Sequence, residues 1–146
     1  MKNILFLCTG NSARSIMAEG YMNHAGNGRW RAWSAGSTPT GVVNPFAIET
    51  LDAHGIGAPQ DLRSKSWDEF AMPGAPVTTA IVTVCDNAAG EVCPIWPSHG
   101  GAPPRKLHWS FPDPAAVVGT DEEKRAAFET VFNDIRAHID NFLGNE

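Results

Sequence analysis

One segment near the N-terminus constrains the fold more than any other part of the chain. Apolar residues from Ile4 to Leu7 lead into Cys8, and five small or polar residues separate this cysteine from Arg14 and Ser15, where a helical pattern begins. A strand that turns through a short loop into a helix N-terminus aims backbone N–H groups and the positive end of the helix dipole at one point. The segment therefore predicts an oxyanion-binding loop at the end of the first strand.

The residue types of this loop suit an anion bound against a nucleophile. The predicted oxyanion-binding residues are Thr9, Gly10, Asn11, Ser12, Ala13 and Arg14. The planar guanidinium of Arg14 can grip two oxygens of a tetrahedral anion, and the same donors stabilise a thiolate, lowering the pKa of a cysteine from about 8.5 towards roughly 4–7. A lone cysteine at a strand end is more often a small buried apolar residue. The spacing from Arg14 favours the other interpretation, in which Cys8 is a nucleophile.

The composition bounds the class of protein. The 146 residues are expected to form one domain over 1–146, with ordinary apolar (42%) and charged (18%) fractions. A net charge of -5 argues against nucleic acid as a partner, and the apolar runs are too short to indicate a membrane span or a signal peptide. Three cysteines, an odd number, indicate thiol chemistry in a reducing cytoplasm and not structural disulfides.

The order of elements predicts an α/β fold. Helical patterns cover about 15–26, 45–54 and 120–144, and strand patterns cover 30–34, 79–84 and 106–109. Capping boxes are expected at Ser66 with Glu69, where a short helix starts, and at Thr120 with Glu123, at the start of the last helix. Strands that alternate with helices give a three-layer, doubly wound, four-stranded parallel sheet with helices on both faces. Residues 86–104 are predicted to be a Gly/Pro-rich loop.

Such sheets bind ligands beyond the carboxyl ends of their strands, and three further side chains are predicted to lie there. Cys85 ends the third strand, so its thiol could meet that of Cys8 if the two strands are neighbours, about 4.8 Å apart. Asp113 follows the fourth strand and could be a general acid, or merely a turn aspartate between prolines. Ser15 could donate its hydroxyl to the Cys8 thiolate or cap the helix.

Cys85 and Cys93 bracket a stretch of seven residues. That gap is too long for a Cys-x-x-Cys redox motif, and the histidines do not complete a zinc pattern. A loop with a thiol at each end can instead pass a disulfide outward.

With these motifs the sequence resembles the arsenate reductases built on the low-molecular-weight tyrosine phosphatase fold. The matching segments are residues 8–15, 17–20, 34–36, 44–45, 93–94 and 108–115. The loop from Cys8 to Arg14 and the Asp113-Pro turn are specific to the phosphatase superfamily, and the cysteines at 85 and 93 are specific to its reductase branch.

The resemblance implies a mechanism without metal or organic cofactor. Arsenate binds in the loop, Cys8 attacks arsenic, and Asp113 protonates the departing hydroxyl. Cys85 then attacks the Cys8 sulfur, arsenite leaves, and Cys93 takes over the disulfide, which thioredoxin reopens. Phosphate and sulfate are expected to compete for the loop. Some members also hold a structural potassium ion.

For that ion, Asn11, Glu19 and Ser34 match three ligands, and the alignment places Trp67, next to Asp68, at the fourth. Glu19 could equally be a hydrogen-bonded helix residue, and asparagine tolerates a left-handed loop conformation at position 11.

Three alternatives remain open at the level of sequence. The segment from Cys85 to Cys93 is one residue longer than in the best-known thioredoxin-coupled members, so a glutathione–glutaredoxin route without Cys93 is an alternative. A tyrosine phosphatase would use Cys8, Arg14 and Asp113 to hydrolyse a phosphocysteine, although Ala115 and the residues after it lack the aromatic wall expected for a phenol ring. The third alternative is a non-catalytic phosphate-binding domain.

Overall fold

A computed structural model describes residues 2–57, 62–72, 74, 78–84 and 105–145. Its elements are β1 (Lys2–Cys8), α1 (Arg14–Ala25), β2 (Trp30–Gly36), α2 (Pro45–Ala53), a first 3₁₀ helix (Trp67–Ala71), β3 (Ala80–Thr83), β4 (Arg105–His108), a second 3₁₀ helix (Pro114–Ala116) and α3 (Asp121–Gly144). Cys85, Cys93 and the predicted loop 86–104 lie outside the described residues.

The four strands form one parallel sheet in the order β2-β1-β3-β4. The first and third strands are neighbours, which is the condition set above for a meeting of Cys8 with Cys85. Phe6 of β1 pairs with Val82 of β3 on one side and with Ser34 of β2 on the other. The chain steps outward from β1 to β2 and then crosses back to β3, so β1 and β3 flank the switch point at which doubly wound sheets bind ligands.

The central strand β1 is buried on both faces, which explains its unbroken apolar sequence. Ile4 and Phe6 point into the larger core with residues of all three α-helices. Leu5 and Leu7 point to the opposite face, where Trp67 and Phe70 of the first 3₁₀ helix cover them. Helices therefore lie on both faces, as predicted, and among the described residues the second face has only this short helix.

Of the two predicted capping boxes, one forms completely and the other forms in part. The capping box predicted at α3 is present, with the Thr120 hydroxyl and the Glu123 carboxylate each bonded to the other residue's backbone N–H. The one predicted at 66–69 is only half formed. Ser66 accepts from the backbone N–H of Asp68, but the Glu69 carboxylate binds the guanidinium of Arg63 instead. A bidentate, charge-assisted pair is the stronger partner for that carboxylate.

Strand β2 runs two residues past its predicted end, and this extension reaches the site. Its last residue, Gly36, pairs in register with Cys8, the last residue of β1. Both strands thus end at the same edge of the sheet. No helix in the described part of the chain combines the length and the apolar character that crossing a bilayer requires.

Candidate active site

A cleft of about 190 Å³ opens at the carboxyl edge of the sheet, at the N-terminus of α1. It is lined by Cys8, Gly10, Asn11, Ser12, Ala13, Arg14, Thr40, Asp113 and Ala115. Cys8 is buried, with only 4% of its surface exposed. The predicted grouping of the cysteine, its loop, Arg14 and Asp113 around one space is therefore what the structure contains, while their chemical roles stay predictions.

The outer side of the loop is fixed by hydrogen bonds from the segment 38–44. The N–H groups of Thr38, Thr40 and Asn44 donate to the carbonyls of Thr9, Gly10 and Ser12, at N···O distances of 2.9, 3.0 and 2.9 Å. In a trans peptide the N–H points away from the C=O. The N–H groups of Gly10, Asn11 and Ala13 consequently face the opposite side, and within the described part of the chain they donate to no protein acceptor. This is an anion-binding arrangement.

Asn11 is the bend in the loop and its link to the scaffold. Its φ of 46° is left-handed, the conformation that asparagine tolerates. The side chain is fully buried, and its Nδ2 donates to the hydroxyls of Ser15 and Ser34, each at 2.9 Å. Its Oδ1 accepts from the backbone N–H of Lys65 at 2.8 Å. One side chain thus joins the loop to α1, to β2 and to the segment before the first 3₁₀ helix.

Gly36 allows the loop to lie directly against the end of β2. A Cβ atom at this position would come within 2.9 Å of the Cys8 carbonyl oxygen and closer still to that of Thr9, and it would meet the Asn11 nitrogen at 3.0 Å. These neighbours are backbone atoms of the loop and cannot move aside without changing its shape. A side chain at position 36 is therefore incompatible with the observed loop.

Arg14 is held at the cleft by two residues of the segment that follows β4. Its Nη1 donates to the Phe111 carbonyl at 3.0 Å, and its Nη2 lies 3.9 Å from the Asp113 carboxylate. The Arg14 side chain is 16% exposed and that of Asp113 is 45% exposed. The guanidinium is therefore oriented before any ligand binds, with further N–H donors left for an anion in the cleft.

Asp113 is a turn aspartate, as one interpretation of its sequence position expects, and its carboxylate also faces the cleft. Its Oδ1 accepts from the backbone N–H of Ala115 at 3.0 Å, as the N-cap of the second 3₁₀ helix. Its Oδ2 faces Arg14 at the cleft. The turn interaction fixes the carboxylate at the rim, where one oxygen remains available for proton transfer.

Aromatic packing anchors the segment that carries Asp113. Phe111 is 2% exposed and packs edge-on against His138 of α3, with ring centroids 5.0 Å apart. Trp109 contacts His138 as well, at 5.5 Å. His108, by contrast, has its Nδ1 2.7 Å from the Thr83 hydroxyl oxygen.

Ser15 is buried, and its hydroxyl oxygen accepts from Asn11. The N-cap position of α1 belongs to Ala13, with no side-chain cap bond, so Ser15 does not cap the helix. Its hydroxyl proton is left for donation, and donation to the Cys8 thiolate stays a prediction.

Three contributors to the site were not predicted from the sequence. Thr40 lines the cleft, and Ser64 donates its hydroxyl to the Gly10 carbonyl at 3.1 Å. Lys65 is buried beside Glu19, with Nζ 3.6 Å from the carboxylate. Burial lowers the pKa of Lys65, and the charge of Glu19 opposes that shift. All three lie in irregular segments, where no sequence periodicity indicates which side chains point into the protein.

Trp67 and Asp68, the residues that the family resemblance places at the fourth ligand of a cation site, lie in different surroundings. Trp67 packs in the smaller core with Leu5 and Ile81, and Asp68 is exposed. Lys65 is the residue that approaches Glu19 and Asn11.

Comparisons of the sequence agree with this geometry. The sequence profile of the family described as low molecular weight phosphotyrosine protein phosphatase matches residues 3–146. The chain is 40% identical to the arsenate reductase of Halalkalibacterium halodurans over 141 residues, which are 97% of this chain and 94% of that protein. It is 37% identical to the arsenate reductase of Bacillus subtilis over the same shares of the two chains.

Solved structures show the same fold. An arsenate reductase in a phosphate-binding state superposes with a TM-score of 0.72 at 23% identity, covering 99% of this chain and 98% of that one. A low molecular weight protein tyrosine phosphatase from T. tengcongensis gives a TM-score of 0.73 at 21% identity, covering 100% of both chains. A thioredoxin-dependent arsenate reductase from Corynebacterium glutamicum gives 0.67 at 22% identity, covering 100% of this chain and 64% of that one.

Proposed function

The chain belongs to the low molecular weight phosphotyrosine protein phosphatase family, and we propose that it is an arsenate reductase, an oxidoreductase that converts arsenate to arsenite. The observation that carries the proposal is the cleft in which Cys8, Arg14 and Asp113 converge with the free N–H groups of the loop. A tetrahedral oxyanion fits these donors, and a cysteine lies beneath it.

The first steps follow from the positions of these groups. Arsenate binds to the loop N–H groups and to the guanidinium of Arg14. The Cys8 thiolate attacks arsenic and forms an arsenic–sulfur bond, while Asp113 gives a proton to the departing hydroxyl, which leaves as water. The donation from Ser15 to Cys8, proposed above, stabilises the thiolate before the attack.

The redox steps need the other two thiols. The Cys85 thiolate attacks the Cys8 sulfur, the arsenic–sulfur bond breaks with its electron pair on arsenic, and arsenite leaves as a Cys8–Cys85 disulfide forms. Cys93 then attacks Cys85 and frees Cys8. The sheet supports this order, because the backbone N–H of Val84 donates to the Leu7 carbonyl at 2.9 Å, and residue 85 therefore follows a strand that is paired beside Cys8.

A thiol reductant must regenerate the reduced protein by reopening its disulfide. Thioredoxin is the donor that we favour, and the fold shared with a thioredoxin-dependent reductase supports it. A glutathione–glutaredoxin route, in which Cys93 is dispensable, is the second candidate. The chemistry requires no metal or organic cofactor, phosphate and sulfate compete for the loop, and we place the protein in the cytoplasm because thiols stay reduced there.

Phosphatase activity is the second candidate function, because the same three residues support it. The cleft rim argues for a smaller ligand than phosphotyrosine. Ala115 lines the cleft directly after the Asp113-Pro114 turn, and its methyl group offers no aromatic face against which a phenol ring could stack.

Turnover with purified donors tests the proposal. Arsenite production is measured with thioredoxin and its reductase, and separately with glutathione and glutaredoxin, beside hydrolysis of an aryl phosphate. We expect arsenite with the thioredoxin system and loss of it in Cys85→Ser. Rapid hydrolysis of the aryl phosphate, without arsenite production from either donor, would show that the protein is a phosphatase and not a reductase.

A further inference from the structure

A buried ion pair lies behind the oxyanion-binding loop, outside the cleft. Lys65 and Glu19 are each 8% exposed, and their charged groups are 3.6 Å apart. The Lys65 ammonium also donates to the Arg63 carbonyl at 3.0 Å. Buried charges are costly unless they are paired, so an ammonium at this position requires an explanation beyond surface solvation.

This pair connects directly to the loop. Glu19 accepts from the Ser34 hydroxyl at 2.5 Å, and Ser34 in turn accepts from the Asn11 amide. The Asn11 oxygen accepts from the backbone N–H of Lys65, which closes the circuit. Asn11 is the loop residue with positive φ. The ion pair and the bend of the loop thus belong to one hydrogen-bonded network.

The network does not fit the potassium ion that the family resemblance suggested. A hard cation needs several oxygen lone pairs aimed at one point. Here the Glu19 carboxylate already faces the Lys65 ammonium, and the Ser34 hydroxyl donates its proton to the same carboxylate. The Asn11 amide turns its N–H₂ group towards Ser34, and this orientation is fixed because the backbone N–H of Lys65 can only donate to the oxygen.

We propose that the Lys65 ammonium is a built-in cation that takes the place of a bound metal ion and holds Asn11, and with it the oxyanion-binding loop, in the binding conformation. Lys65 is a positioning residue in this account, since it lies outside the residues that line the cleft. The consequence is a protein whose stability and oxyanion affinity do not depend on potassium.

The first test compares cations on the wild-type protein. Melting temperature and sulfate affinity, by calorimetry, are measured in potassium, sodium and tetramethylammonium chloride at equal ionic strength. We expect the same values in all three salts. A higher melting temperature or a tighter sulfate complex in potassium alone would overturn the proposal, because binding to the native state stabilises it.

The second test removes the ammonium and returns a small cation. Lys65→Ala should lose about tenfold in sulfate affinity in tetramethylammonium chloride, and ammonium, methylammonium or potassium should restore it. Lys106→Ala, at an exposed lysine of β4, is the matched control and should show neither effect. Wild-type affinity in Lys65→Ala, or a loss that no small cation restores, would contradict the proposal.

Both tests read sulfate binding and melting, not arsenate reduction. Their result therefore stands whether or not the proposed reductase activity is found. If Lys65→Ala fails to fold, the comparison of salts on the wild-type protein still decides between a built-in and a bound cation.

Discussion

The guanidinium of Arg14 lies 3.9 Å from the carboxylate of Asp113. The two residues come from opposite ends of the chain, the first at the start of α1 and the second after β4. Their meeting places a guanidinium and a carboxylate on the same cleft as Cys8. An oxyanion bound at Arg14 is therefore within reach of the group that would protonate its leaving oxygen.

Arg14→Lys should weaken oxyanion binding while keeping the charge. A lysine cannot reproduce the planar fork, and losing one hydrogen bond to a charged ligand costs about 1.5–3 kcal/mol, or roughly 10- to 100-fold in affinity. Phosphate titration by calorimetry measures this. Arg29→Lys, at an exposed arginine between α1 and β2, is the control that should bind as the wild type does.

Asp113→Asn should slow turnover without loosening the fold. The amide oxygen can still cap the second 3₁₀ helix through the N–H of Ala115, but the group can no longer donate a proton as an acid. We expect kcat to fall roughly 100- to 10,000-fold, with sulfate affinity and melting temperature nearly unchanged. Asp52→Asn, at an exposed aspartate of α2, controls for the lost charge. An unchanged kcat in Asp113→Asn would exclude the acid role.

Gly36→Ala should damage both stability and the loop. The added methyl would press on the Cys8 and Thr9 carbonyl oxygens, and overpacking of this kind costs about 1–3 kcal/mol. Urea unfolding and sulfate titration measure the two effects. Gly57→Ala is the matched control, because open space surrounds that position. Equal stability and equal sulfate affinity of the two variants would contradict a steric need for glycine at position 36.

Tyr21 gives a spectroscopic test of the packing of α1 on α3. Burial, followed by the hydrogen bond from its hydroxyl to Asp140 at 2.6 Å, raises the pKa of Tyr21 to about 12. An unfolded tyrosine titrates near 10. Because the folded pKa is the higher one, the stabilising contribution is complete below about pH 10 and is lost as the pH rises towards 12.

The chain has one tyrosine, so phenolate absorbance reports on it alone. At about pH 11, roughly one-tenth of Tyr21 should be ionised in the folded protein and about nine-tenths in urea. Circular dichroism must show that the first sample is still folded, and Tyr21→Phe gives the blank. A midpoint near 10 in the folded protein would contradict the packing described for α1 and α3.

The helices, the strands and the central residues of the site could be predicted from the sequence, because each leaves a local pattern. The unbroken apolar run of β1, the capping box of Thr120 and the spacing from Cys8 to Arg14 each identify a feature within a few residues. The parallel, doubly wound sheet followed from the alternation of strands with helices along the chain.

What the sequence did not reveal depends on contacts between distant segments. The backbone N–H of Lys65 bonds to the side chain of Asn11, which lies 54 residues earlier in the sequence. No periodicity predicts that a lysine in an irregular segment points into the protein. Strand β2 extends beyond its predicted end for a similar reason. Gly36 looks like a turn residue, yet it is the close approach of the loop that requires glycine there.

A single turnover of the reduced protein tests the central claim most directly. Fully reduced protein is mixed with arsenate in the absence of external thiol, arsenite is quantified, and disulfides are mapped by mass spectrometry after alkylation. The account predicts about one arsenite per chain together with a Cys85–Cys93 disulfide, and neither product in Cys85→Ser. Absence of arsenite and of any new disulfide in the wild-type protein would contradict it.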